Sequence, residues 1–253
     1  QTLERQGEIE EAIAASEESR NAWEALALEF PEVPRYRMKL AECLHFESLL
    51  KRESGENERS DELLERAFSY LDEIPVDQLS GHGLRVFSKV QRFRGINAIE
   101  RLGDRETARA LAYQSVELAL MAEETEGQSV ESRETVAFAL SLAGNVKPDL
   151  KPLWERYPNP GSVKKIMDDL IQESPSDMSL KEKLLDSSRL NSSVRNPAIM
   201  EQGLTLAREL TSHDPTNLEW QLKAARMEYR AGQHHYWAGR LKQAEPYFAM
   251  ADQ

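Results

Sequence analysis

Three glycines, each followed by an acidic residue, recur at a fixed interval. They are Gly7-Glu8, Gly55-Glu56 and Gly103-Asp104, with 48 residues between successive glycines. A fourth, Gly239-Arg240, has a basic follower. Glycine just past the end of a helix takes the left-handed conformation that turns the chain into the next helix. Small residues sit at constant offsets from these points. Five positions on are Ala12, Ser60, Ala108 and Ala244, and twelve positions on are Ser19, Ala67, Ser115 and Ala251. Two antiparallel helices approach closely only where facing side chains are small, so the pattern predicts repeated helix hairpins.

The segments between the glycines carry helical periodicity. In Ala22–Leu28 and Leu63–Phe68 apolar residues fall three and four apart, and no stretch alternates with β-branched enrichment. Prolines punctuate between these runs, with Pro246 expected near the first turn of a short last helix. The reading places helices near 8–29, 35–53, 58–73, 82–101, 104–124 and 129–143. After a proline-rich break at 147–160 it places others near 162–173, 178–190, 197–211, 217–237 and 241–252. Gly81-His82-Gly83 reads as a plain loop, too short to cradle a pyrophosphate.

Two linkers, Glu29–Arg37 and Ser212–Gln221, and the run Gly239–Phe248 resemble the tetratricopeptide (TPR) regions that follow the kinase domain in large bacterial serine/threonine kinases, notably of planctomycetes. There a proline-led entry with an aromatic leads through a Leu- and Ala-rich helix to Gly-Arg and an Ala-Glu-x-x-Tyr/Phe helix. The resemblance covers roughly residues 1–125 and 197–253 and departs at Ser60 and Glu228. It implies an all-α, TPR-like helical-hairpin solenoid with a right-handed superhelix, irregular in the middle. On this reading 1–143 is one subarray with long repeats and 177–253 a second. Residues 144–176 are a connector or a degenerate repeat. The chain opens at Gln1, not Met, and reads as a piece of a longer, kinase-linked signalling protein. A cytoplasmic setting is slightly favoured, and a periplasmic one fits a parent with a membrane segment.

Charge narrows the partners. With 32 Lys and Arg against 44 Asp and Glu, the net charge is −12, which repels phosphate backbones and anionic lipid. Nucleic acid is therefore not expected, nor is membrane insertion, since no apolar run is long enough to span a bilayer. One cysteine, Cys43, excludes an internal disulfide and a cysteine-based zinc site, and it reads as a small buried hydrophobe. Phosphate-loop, kinase and His-Glu-x-x-His signatures are absent from the sequence, so no catalytic residue, cofactor or metal is expected.

One pattern points to binding. Arg85, Lys89 and Arg92 are spaced four and three apart, which puts them on one face of one helix, with Arg94 beside them. Such a row can clamp acidic side chains or a terminal carboxylate of a protein or peptide partner. Arg35, Arg37 and Lys39 extend it one repeat earlier. The same row also fits a solvated face balancing nearby acids. Trp220, Tyr229, Tyr236 and Trp237 read as packing between helices. The function expected is a scaffold, monomeric or weakly dimeric. A small-molecule sensor or all-α enzyme centred on Trp154, Tyr157 and His82, or a dimerisation module, stay open beside it.

Overall fold

The computed structural model describes residues 2–157, 160–191 and 197–251, with side chains described over 11–157, 160–185 and 200–251. Among the described residues there are twelve α-helices and no strand. They are α1 (Thr2–Glu29), α2 (Pro34–Glu53), α3 (Asn57–Asp72), α4 (Gly81–Glu100), α5 (Arg105–Glu126), α6 (Val130–Val146), α7 (Lys151–Arg156), α8 (Val163–Glu173), α9 (Met178–Asn191), α10 (Pro197–His213), α11 (Leu218–Trp237) and α12 (Leu241–Ala251). The chain divides into two compact units, residues 1–139 with 148–157, and residues 140–147 with 158–253.

In the first unit the glycine turns work as their spacing predicts at two of three points. Gly55 has φ +86° and Gly103 φ +65°. After α2 the Glu56 N–H donates to the Lys51 carbonyl at 2.8 Å and the Gly55 N–H to that of Arg52 at 3.1 Å, which satisfies carbonyls the helix leaves open. Gly7 is different, because α1 runs straight through it. No proline or cap interrupts the chain there, and glycine is tolerated inside a helix.

Small residues mark the joints. Ser60, Ala67, Ala108 and Ser115 are all buried. Gly81 meets Glu126, Ser88 meets Ser115 and Gln91 meets Gln114, so numbers rise along α4 as they fall along α5. The two helices are therefore antiparallel. At the middle of this joint Ser88 Oγ donates to the Ser115 carbonyl at 2.8 Å, and Ser115 Oγ donates back to the Ser88 carbonyl at 2.9 Å. Leucines fill the core around the joints, among them Leu40, Leu44, Leu63 and Leu71, none with accessible surface. At the α1–α2 seam Arg20 donates to the buried Glu47 at 3.3 Å, while burial pushes the Glu47 carboxyl upward.

Gly81-His82-Gly83 is not a loop but the first turn of α4, capped by Ser80, whose Oγ accepts from the Gly83 N–H at 3.2 Å. Both glycines are buried. A methyl group at 81 would overlap the Glu126 side chain, and one at 83 would lie 2.7 Å from Met38 Sδ. Their lack of a side chain is what lets the start of α4 press against α2 and α5.

The second unit holds the core residues Met167 and Leu170 of α8, Leu184 and Leu185 of α9, Leu206 and Leu210 of α10, and Met227 and Ala231 of α11. Gly239, at φ +72°, turns α11 into α12, and Gly232 and His235 pack on Phe248 and Tyr247. Pro246 is the sixth residue of α12, a turn later than its sequence position suggested, so the Lys242 carbonyl lacks the N–H it would otherwise accept from. The start of α11 is fixed by Asn217, whose Oδ1 accepts from the Glu219 and Trp220 N–H groups, both at 3.1 Å. Asn217→Ala removes that acceptor and is expected to lower unit stability by about 1 kcal/mol, read as a shift in urea midpoint with unchanged slope.

Candidate binding surface on α2 and α4

The basic row splits by depth. Arg85 is half-buried and its guanidinium is engaged twice, by Glu126 of α5 and by His82 Nδ1 at 3.4 Å. His82 in turn lies 3.1 Å from Glu42 of α2, which also accepts from Lys39 at 2.7 Å. These contacts make one continuous polar chain, Lys39–Glu42–His82–Arg85–Glu126, across three helices. His82 and Lys39 together hold the Glu42 carboxyl down at about 2, against the pull of its partial burial. Each residue of the chain keeps some side-chain exposure, while the His82 Nε2 atom that faces Glu42 is itself buried.

Lys89 lies one turn further along α4, half-buried and engaged by neighbours. Arg92 departs from the expected solvent-facing row, for it is only 7% exposed. Its guanidinium carbon stands 4.4 Å from the Phe93 ring centre and 5.2 Å from that of Phe138 on α6. Burial draws its pKa down to about 10, with Glu134 opposing the shift. The reason lies in α4 itself, which has buried residues on nearly all sides; Leu84, its valines and its glycines leave no open face for a third cation. Arg94 turns away toward α3, with two hydrogen bonds to Glu65 at 2.8 and 2.9 Å and its guanidinium over Phe68 at 3.7 Å. On α2, Arg35 is exposed and Arg37 pairs with Glu73 at 3.5 Å.

The sequence reads His45 as a core or surface histidine that does not face Cys43, and the structure makes it core. It is buried, edge-on to Phe93 with ring centres 5.2 Å apart, and its Nε2 has no hydrogen-bond partner. Burial first, then Lys89 and Arg92, pull its pKa down to about 3. Its period on α2 matches the core residues Ala41, Leu44 and Ser48, which is the signal that marks it as interior. Cys43 is half-buried, with its sulfur 3.5 Å from Ser19 Oγ, on a different side of α2 from His45.

Tyr157 does not join His82. It lies by Arg156 and is influenced by Glu117 and Tyr113 of α5, and burial pushes its hydroxyl upward. Among the described residues no cluster of three or more His, Cys, Asp and Glu side chains is arranged to hold a metal ion. Nor is any described helix long and apolar enough to cross a membrane. Compared with known families and with curated proteins, the chain finds no match to either.

Proposed function

We propose that this chain is a protein–protein interaction scaffold, a TPR-like array of helical hairpins whose α2 and α4 receive an acidic segment of a protein or peptide partner. The observation that carries this reading is the partly exposed polar chain from Lys39 to Glu126, with Arg35 and Lys89 beside it. Rigid helices hold these cations in fixed register, and acids of the chain itself occupy them in the absence of a partner. A partner carboxylate that displaces Glu42 or Glu126 trades one ion pair for another and gains whatever apolar contact comes with it. Repeated joints at Gly55 and Gly103 support the hairpin array. The same reading makes the chain part of a larger signalling protein, of the kind in which such arrays follow a bacterial serine/threonine kinase domain.

Selection of displayed peptides on the full chain tests this. Acidic peptides are expected to be enriched, and Arg35→Glu, Arg85→Glu and Lys89→Glu together are expected to abolish their capture while circular dichroism stays unchanged. Arg92 is left out of that set because its burial makes reversal a folding lesion. Enrichment that ignores charge, or survives the triple reversal, would overturn the proposal.

A further inference from the structure

The helix α11 is apolar on two opposite faces. One face is turned inward, with Met227 and Ala231 buried and Trp220 half-buried, and with Glu228 at its edge, where Arg208 of α10 donates to Glu228 at 2.9 and 3.2 Å. The other carries Leu218, Leu222, Tyr229 and Tyr236. At about 100° per residue these four fall within about 40° of one another, on the side away from Met227. A helix facing solvent on one side normally shows polar residues there. Here the four side chains are between 42% and 54% exposed, and Trp237 and Leu241 at the turn into α12 are exposed further, Trp237 to 80%. α12 reaches this stripe at Tyr229, through Phe248 with ring centres 5.6 Å apart. Four aligned large side chains over some five turns make a seam shaped for another helix, since a partner helix places its own i, i+4, i+7 and i+11 residues along it.

Charge says which kind of helix. Residues 218–251 hold five Lys and Arg against three Glu, a local excess of positive charge in a chain of net −12. Arg226, Arg240 and Lys242 are exposed, against exposed Glu219 and Glu245, while Lys223 is buried beside Glu182 and Glu219, and Glu228 is turned inward to Arg208, which leaves a small exposed excess of positive charge. Arg226 follows Leu222 by one turn and so borders the stripe, and Arg240 and Lys242 stand at the turn beside Trp237. We infer that the Leu218–Tyr236 face of α11 is a docking surface for an amphipathic helix of another protein, its apolar stripe flanked by acidic residues. It lies in the second unit, apart from the polar chain on α2 and α4, and does not depend on that site being used. The binding energy would come from the leucines and tyrosines, and the choice of partner from the arginines and Lys242.

The test uses the full chain and two labelled 20-residue helical peptides with leucines at the same i, i+4, i+7 and i+11 positions. One is flanked by glutamates and the other by lysines. Fluorescence anisotropy is expected to show the acidic peptide binding at least about tenfold more tightly than the basic one. Leu222→Glu with Tyr229→Glu is expected to abolish that binding, and Arg226→Glu with Lys242→Glu to invert the preference. All four positions are exposed, so the variants should keep the wild-type circular dichroism. No binding of the acidic peptide, or equal affinity for the two, would overturn the inference. So would a dimer in sedimentation equilibrium that Leu222→Glu dissolves, because the face would then belong to a second copy. The chain carrying Arg35→Glu, Arg85→Glu and Lys89→Glu, in which α2 and α4 no longer capture acidic segments, is the background in which these affinities are compared, and the preference for the acidic peptide is expected to persist there, which separates this surface from the one on α2 and α4.

Discussion

Arg92→Glu is expected to lower the unfolding free energy of the first unit by about 3–5 kcal/mol, enough to leave much of it unfolded at 37 °C. The reversal puts a carboxylate where a guanidinium now lies between the Phe93 and Phe138 rings. The nearest opposing charge, Glu134, is itself buried, so an attraction becomes a repulsion in a seam that excludes water. Arg92→Met should behave differently. It removes a buried Nε that has no hydrogen-bond partner and keeps most of the apolar stem, but it takes a countercharge from the buried Glu134, so a loss of about 1–3 kcal/mol is expected, smaller than for the reversal. Arg85→Glu, nearer the surface, should cost far less than Arg92→Glu and leave the unit folded. Urea denaturation followed by circular dichroism separates these cases. A wild-type melting curve for Arg92→Glu would mean that Arg92 reaches solvent and that the row on α4 is open after all.

That ordering also shows where sequence and structure part. Outside the proline-rich break at 147–160, where α7 (Lys151–Arg156) forms in a stretch expected to be helix-free, helix positions were legible, because proline and glycine mark the ends and a period of three to four marks the interior. Pro34 opens α2, Gly55 and Gly103 close α2 and α4, and Asp104 and Asn217 cap α5 and α11. The all-helical class follows from the same signals. The small residues at Ser60, Ala67, Ala108 and Ser115 were legible as joints for a physical reason, since their burial follows from the spacing of the turns. Gly7 was misleading because glycine permits a turn without requiring one; nothing at Gly7 forces a left-handed φ, and α1 continues.

The candidate site was legible only in part. Spacing of four and three puts Arg85, Lys89 and Arg92 on one side of α4, but periodicity cannot say how far a neighbouring helix wraps around that side. α6 supplies Phe138 and Glu134 there, from a stretch whose packing no local pattern announces. The same limit hid Glu42, His82 and Glu126, three residues far apart in the chain that together hold Lys39 and Arg85. On α11 the limit acts in reverse. Trp220, Tyr229, Tyr236 and Trp237 were read as one packing cluster, yet Trp220 lies against α10 while Tyr229, Tyr236 and Trp237 are largely exposed. A helix apolar all round is predicted to be buried, and only the fold tells which side remains without a neighbour.

His45 ties stability to pH through the same seam. Its pKa falls from 6.5 to about 3 on folding, because burial removes the water that would solvate an imidazolium and because Lys89 and Arg92 repel it, with Glu42 only partly offsetting them. Between those two values the unfolded chain carries a proton at this position that the folded chain does not. Stability therefore falls as the pH falls from about 6.5, by up to about 1.4 kcal/mol per pH unit from this proton alone. His45→Phe keeps a ring against Phe93 and removes the titration. Unfolding free energies of the two proteins, measured from pH 7 to 4.5, are expected to diverge in slope by close to one proton at pH 5, with the wild type steeper. Parallel curves would require His45 to be protonated in the folded state beside two cations, which is possible only if water or an anion enters the α2–α4 seam. An acidic peptide that binds Lys89 would supply such an anion, so repeating the measurement with a selected peptide bound should reduce the difference in slope if the peptide reaches that deep, and leave it intact if the peptide is held by Arg35 and Arg85 at the surface.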